Sequence, residues 1–270
     1  MRILVSNDDG IHAPGIEALE AALARVGEVW VVAPDRERSA VGQSISIHQP
    51  LRVRAAGARR WAVDGTPADC IYLALAELMP ERPDVVVSGI NLGVNLGEDV
   101  FYSGTVAAAK EAAFRNIPAF AISQDVHGFA RGHGTLEEVP DLGAAAELAA
   151  GLAQALGAAR PSGGAGAPAL PPRTLLNVNV PNTPPLGVRA APLGVRNYVL
   201  EVERRVDPRG RSYYWVGGSA SRPADIPGSD CNLLAEGYVT VTPLRLDLTA
   251  RDLLDTAGAL AAAALVPRRA

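Results

Sequence analysis

Ile3-Leu4-Val5-Ser6-Asn7-Asp8-Asp9-Gly10 is the stretch on which the fold turns. An aliphatic run ends in two adjacent carboxylates and a glycine. Arg2 to Ser6 reads as a buried strand of a parallel sheet covered on both faces. In open α/β sheets, ligands bind at the carboxyl ends of such strands. Two carboxylates placed there are costly without a counter-charge, which points to a cation or a reaction. Asn7 to Gly10 also suit a plain strand-to-loop turn in which Asn and Asp side chains cap the backbone. Alone, these four residues leave both readings open.

Outward from this stretch, strand and helix patterns alternate. Pro14 to Val26 reads as a helix with Ile16, Leu19, Leu23 and Val26 on one face. Glu28 to Ala33 is a second strand, ended by Pro34-Asp35, and a polar loop from Arg36 to Gln43 follows. Short alternating stretches occupy Ser44 to Ile47, Leu51 to Ala55 and Arg60 to Val63. Thr66 and Pro67 are an N-cap and first helical position for a helix to about Met79. Asp84 to Ser88 and Ala119 to Ser123 read as strands, Gly104 to Arg115 and Asp141 to Leu156 as helices. The alternation predicts an α/β fold with a mostly parallel sheet and helices on both faces. Gly157 to Arg173, rich in Gly, Ala and Pro, reads as a mobile surface loop. Beyond the strand Leu175 to Val180 come short strands and turns, with Asp207-Pro208-Arg209-Gly210 as a hairpin turn. Tyr238 to Thr242 is a strand and Arg251 to Leu265 a terminal helix.

Bulk properties narrow the function. The 270 residues are 48% hydrophobic and 20% charged, as expected of a globular chain. A net charge of -4 without a basic run longer than a pair argues against a nucleic-acid duplex as partner. No apolar run approaches the roughly 20 residues of a membrane span. The first residues run straight into a strand, so no secretory signal is expected. Cys70 and Cys231 lack a metal-ligand spacing and fit a cytoplasmic protein with reduced thiols, with a disulfide between them left open.

Three further segments follow predicted strands. Ser39 lies in the polar loop after the second strand, and alone it reads as a turn serine. Ser88-Gly89-Ile90-Asn91-Leu92-Gly93-Val94-Asn95-Leu96-Gly97 is dense in Gly and Asn, as in a binding loop or a long turn. Tyr102-Ser103-Gly104-Thr105 opens a helix of small residues, whose free N–H groups and dipole favour an anion. Asp8, Asp9, Ser39 and Asn91 together offer only oxygen, which suits Mg²⁺ or Mn²⁺ rather than Zn²⁺. A metal beside anion donors meets the needs of phosphate-ester hydrolysis. No Walker A motif and no G-x-S-x-G elbow is present.

These residues resemble the SurE family, the stationary-phase survival proteins. The likeness runs through Ile3 to Gly10, Ala33-Pro34-Asp35 with Arg38-Ser39, and Gly65-Thr66-Pro67-Ala68-Asp69-Cys70. It continues in Ser88 to Asn91 with Gly93, Asn95 and Gly97, and in Tyr102 to Val106. Leu176 to Pro181 and Gly237 to Leu244 extend it over nearly the whole chain. The resemblance implies a Rossmann-like catalytic core, residues 1–181. It also implies a smaller C-terminal region, 182–270, used in oligomerisation, with a hairpin at about 195–216, a strand at 238–242 and a terminal helix. It implies hydrolysis of 5′- and 3′-nucleoside monophosphates, some exopolyphosphatase activity, and a homodimer or homotetramer that exchanges elements. One divalent ion per subunit, Mg²⁺ or Mn²⁺, falls on Asp8, Asp9, Ser39 and Asn91. Phosphate contacts fall on Asn95, Ser103, Gly104 and Thr105. Two departures stand out: Ala40 takes a place where Gly is usual, and Asn116 replaces a common Gly before Ile117-Pro118.

The expected mechanism is metal-assisted attack of water on a phosphate monoester, with Asp8 or Asp9 handling the water. A non-catalytic nucleotide sensor on the same fold is the alternative. A receiver-like domain also carries an early acidic pair, but Ser88 to Asn91 lacks its phosphoacceptor Asp. The aromatic segment Tyr198 to Trp215 suits base stacking or an interface, and its hairpin length favours the interface. His12, His48, His127 and His133 receive no role.

Overall fold

The computed structural model describes residues 1–126, 140–158, 169–198, 201–216 and 222–264. His127 and His133, and residues 159–168 of the Gly/Pro-rich stretch, lie outside these, as does Leu265. The chain begins with β1 (Arg2–Ser6), α1 (Pro14–Leu23), β2 (Glu28–Pro34), β3 (Val53–Gly57), β4 (Arg60–Val63) and α2 (Pro67–Leu73). It continues with β5 (Val85–Leu92), α3 (Gly104–Phe114), β6 (Ala119–Gln124), α4 (Gly143–Ala158) and β7 (Thr174–Val180). Short strands β8 (Val188–Ala190), β9 (Arg196–Asn197), β10 (Val202–Val206), β11 (Ser212–Val216) and β12 (Arg222–Pro223) follow. The last elements are α5 (Asp230–Ala235), β13 (Val239–Arg245) and α6 (Leu254–Ala264).

Among the described residues, nine strands form one sheet in the order β3-β4-β2-β1-β5-β6-β7-β13-β8. Pairing is parallel from β4 through β7, and β3 and β13 run antiparallel to their neighbours β4 and β7. β1 shows why the strands are so apolar. Ile3 and Val5 enter the core under α1 and α4, and Leu4 enters the one under α2 and α3. All three are fully buried, and each contributes roughly 1.5–3 kcal/mol by leaving water. α3 is buried almost all round and is built from small residues: Ala107, Ala108, Ala109, Ala112 and Ala113 are all buried.

Several boundaries differ from the sequence expectation. The Ser44–Ile47 stretch forms no strand. α2 is continued by a π-helical turn, Ala74–Leu78, so the chain stays helical nearly to Met79. β5 runs past Ser88 to Leu92, so part of the expected glycine loop is strand. An irregularity between Ser88 and Asn91 shifts the register, and Asn91 and Leu92 then pair with Ser123 and Gln124 of β6. The terminal helix begins as a 3₁₀ turn at Arg251–Leu253. Both cysteines are free and buried. Asn116, which stands where Gly is common, takes a left-handed φ of 55°, and Ala40 takes 57°.

Candidate active site

From β1 the chain proceeds to β2 on one side, while β5 lies on the other side of β1. The crevice where strand order reverses is the ligand site of doubly wound sheets, and Asp8, Asp9 and Asn91 stand at its edge. Asn7 ties the turn after β1: its side chain donates to Gly10 O (2.9 Å) and accepts from Gly10 N (3.2 Å). Gly10 has φ 102°, and a Cβ there would lie 3.0 Å from the Arg36 carbonyl carbon. Glycine therefore lets the two loops pass each other.

Asp8 is buried against the first turn of α3. Thr105 Oγ1 donates to Asp8 Oδ1, and the backbone of Gly104 and Thr105 also hydrogen-bonds to the Asp8 carboxylate. A Cβ on Gly104 would stand 2.8 Å from Asp8 Cβ, so only glycine permits this approach. Burial pushes the Asp8 carboxyl up, and the bonds from Thr105 and Gly104 oppose it. Asp9 Oδ2 accepts from Leu92 N at 3.4 Å, linking β1 to the end of β5. Burial first, then the charge of Asp8, pushes Asp9 up to about 7. Asp9 also lines an open cavity of about 390 Å³ with His12, Asp35, Arg36 and Glu37.

Ser39 is exposed and donates to Glu37 Oε1 (2.8 Å), but its loop is anchored at the site: Arg38 N donates to Asp8 O (2.7 Å). Gly42 N also reaches Tyr102 O (2.9 Å), just before α3. Asn91 is half-buried, with its side-chain amide donating to Gly93 O (2.7 Å). Asn95 is buried among strand ends. Its N–H donates to Asn179 Oδ1 (2.8 Å), its side chain donates to Ser123 Oγ (2.8 Å), and Asn177 and Asn179 donate to its carbonyl. Ser103 caps α3 by accepting from Val106 N (3.0 Å), which leaves its own O–H to donate. Sequence reasoning assigned none of these supports. Asn177 and Asn179 are polar residues inside an otherwise apolar strand, a signal visible in sequence, whereas Ser123 and Glu37 carry none.

Asp8 and Asp9 show no ion pair with a described basic residue. A buried Asp8 and a half-buried Asp9, with no ion pair to a described basic residue and with the Ser39 loop and the Asn91–Leu92 strand end against them, fit a hard divalent ion. The fold thus defines a doubly wound α/β protein with oxygen-bearing side chains at the crevice where its strand order reverses. The family model described as "Survival protein SurE" matches residues 3–199, and the chain belongs to that family. It is 49% identical to the 5′-nucleotidase SurE of Geobacter sulfurreducens, over 92% of this chain and 89% of that one. It is 50% identical to the 5′-nucleotidase SurE of Anaeromyxobacter sp. strain Fw109-5, covering 92% and 91% respectively. The crystal structure of a SurE protein from Aquifex aeolicus superposes with a TM-score of 0.78 at 36% identity, covering 97% of this chain and all of that one.

Proposed function

We propose that this chain is a metal-dependent 5′-nucleotidase that hydrolyses nucleoside monophosphates, with 3′-nucleotides and short polyphosphate as further substrates. The observation that carries the reading is the adjacent carboxylates of buried Asp8 and half-buried Asp9, with the start of α3 packed directly on Asp8. Asp8, Asp9, Ser39 and Asn91 hold one divalent ion, Mg²⁺ or Mn²⁺. When bound, such an ion supplies positive charge that polarises the phosphate and makes a nearby water more acidic. Asn95, Ser103, Gly104 and Thr105 hold the phosphate. Ser103 has its hydroxyl proton available, and the helix start stabilises charge on the phosphoryl oxygens.

Asp9 is the aspartate that handles the water. Asp8 is fixed by Thr105 and Gly104, whereas Asp9 faces the open cavity. Its carboxylate takes a proton from the water, the water oxygen attacks phosphorus, and the phosphorus–ester oxygen bond breaks. The departing alkoxide takes a proton from solvent and Asp9 releases its own to solvent, giving nucleoside and inorganic phosphate.

Residues 1–181 act as the catalytic core and 182–270 serve assembly into a homodimer or homotetramer. No residue of α6 is buried, and β10 and β11 are exposed along their length. An eleven-residue helix and a lone hairpin are each marginal in water, so both gain most by packing on another subunit. No helix among the described residues is long and apolar enough to cross a membrane. Two buried free thiols fit a cytoplasmic setting.

The test is phosphate release from AMP by the purified chain with Mn²⁺ or Mg²⁺, with and without chelator. Chelator should abolish release, and Asp8→Asn or Asp9→Asn should lower turnover by orders of magnitude in a folded protein. Release that survives chelation, or near-parental turnover in either variant at saturating metal, overturns the reading.

A further inference from the structure

The segment from Asn95 to Ser103 carries two of the proposed phosphate contacts, and Asp99 shapes it. The Asp99 carbonyl accepts from Tyr102 N and Ser103 N, both at 2.9 Å, which closes the turn into α3. Its Oδ2 accepts from Leu96 N at 3.2 Å. Asp99 therefore fixes both ends of the 3₁₀ turn Gly97–Phe101. Its own carboxylate is buried, and its counter-charge comes from a distant part of the chain. Arg196 Nη1 lies 2.5 Å from Asp99 Oδ2, and Tyr198 donates its hydroxyl to Oδ1. The Arg196 backbone N–H donates to Glu98 Oε2 (2.6 Å), and its guanidinium lies 5.3 Å from the Tyr198 ring centroid. Asp230 completes the frame by accepting from Gly97 N (3.0 Å) and Gly194 N (2.7 Å). Both carboxylate and guanidinium are about nine-tenths buried, so neither is free to serve solvent.

We propose that Arg196, acting through Asp99, is a positioning residue for phosphate binding: the pair sets the turn that holds Asn95 and Ser103 toward the same anion. This rests on the nucleotidase reading above. Neither residue touches substrate. Arg196 stands in β9, just before the hairpin strands β10 and β11, so the arm assigned to assembly also braces the phosphate turn. Loss of Arg196 leaves a buried carboxylate without its cation, an unfavourable state that Asp99 relieves by taking a proton or leaving the turn.

The experiment compares the full chain with Arg196→Gln, Arg196→Lys, Asp99→Asn and the double variant R196Q/D99N. AMP hydrolysis with Mn²⁺ gives KM and kcat, electron paramagnetic resonance of free Mn²⁺ gives metal affinity, and circular dichroism reports folding. R196Q is expected to raise KM about tenfold or more, the scale of a lost charged hydrogen bond, with little change in kcat or Mn²⁺ affinity. R196K should recover part of the loss, and the double variant should be no worse than the worse single variant. A parental KM in folded R196Q overturns the proposal, as does a rise in KM accompanied by parallel losses of kcat and Mn²⁺ affinity, which a general loosening would cause. If R196Q does not fold, the nearly isosteric D99N carries the same criteria. AMP hydrolysis by the parent with an unchanged KM in the variants overturns this pair alone, whereas an inactive parent overturns the nucleotidase reading with it.

Discussion

Thr105 donates its hydroxyl to Asp8, joining the first turn of α3 to the end of β1 across 97 residues of sequence. The bond holds one oxygen of a buried carboxylate and opposes the upward pull of burial on it. Thr105→Val keeps the shape and removes the donor. A hydrogen bond to a charged group contributes about 1.5–3 kcal/mol, so kcat/KM for AMP should fall about tenfold to a hundredfold. Thr105→Ser should retain most of it. Steady-state kinetics of the two variants decides, and equal losses in both would remove the hydroxyl from the account.

Gly104→Ala places a methyl group 2.8 Å from Asp8 Cβ and 2.9 Å from its Oδ2. One of the two elements must shift. Displacements of order 1 Å near reacting groups cost up to about a hundredfold, so kcat/KM should drop on that scale. Thermal melting should change less than it does for a large core substitution. A variant with parental activity would show that the helix start can retreat from Asp8 without consequence.

The Asp9 carboxyl is raised from 3.8 to about 7 by burial and by Asp8. The folded state therefore holds the proton more tightly than the unfolded chain. This contribution to stability is full below the ordinary carboxylate value and is lost as pH rises to about 7. In chelator the parent should lose melting temperature across that window relative to Asp9→Asn. Protection by Mn²⁺ should grow over the same window, because ion and proton compete for the carboxylates. Melting curves from about pH 5 to about pH 8 test this. Protection that is constant with pH would contradict it.

Leu253, Leu254 and Leu260 are exposed in and beside α6. An apolar groove of about 900 Å³, lined by Phe101, Phe114, Leu193, Leu244 and Leu248, lies open on the same chain. Leu254→Asp with Leu260→Asp should shift the protein toward monomer in size-exclusion chromatography with light scattering. An unchanged mass would remove α6 from the assembly contacts.

Ala40 occupies a left-handed φ of 57° that glycine adopts without penalty. Ala40→Gly relieves a strain of roughly 1 kcal/mol, partly offset by greater freedom in the unfolded chain. A melting temperature at or slightly above the parent is expected. A clear loss would show that the loop tolerates alanine for another reason.

Much of the candidate site is readable in sequence because it is local. Asp8 and Asp9 follow an unmistakable strand, and Ser103-Gly104-Thr105 opens α3 as its capping chemistry requires. Asn91 is legible in its position after a strand run but not in its conformation. The glycine density around it reads as loop, while pairing with Ser123 keeps it in the sheet. Sequence has no means of showing that pairing, since the partner lies on another strand and is chosen by topology. The supports of the turn before α3 are hidden for the same reason. Arg196 and Tyr198 read as members of a polar, aromatic hairpin, and only the fold brings them to Asp99.

The methyl side chains of α3 have a mechanical role as well as an apolar one. They act as thin shims between the helix and the sheet, because the stand-off between packed elements follows the size of the side chains in contact. Ala108 and Ala112 are fully buried in that seam. A thicker residue at either would lift the whole rod and carry Gly104 and Thr105 away from Asp8. The reach of this candidate site is thus gauged by atoms that never line it.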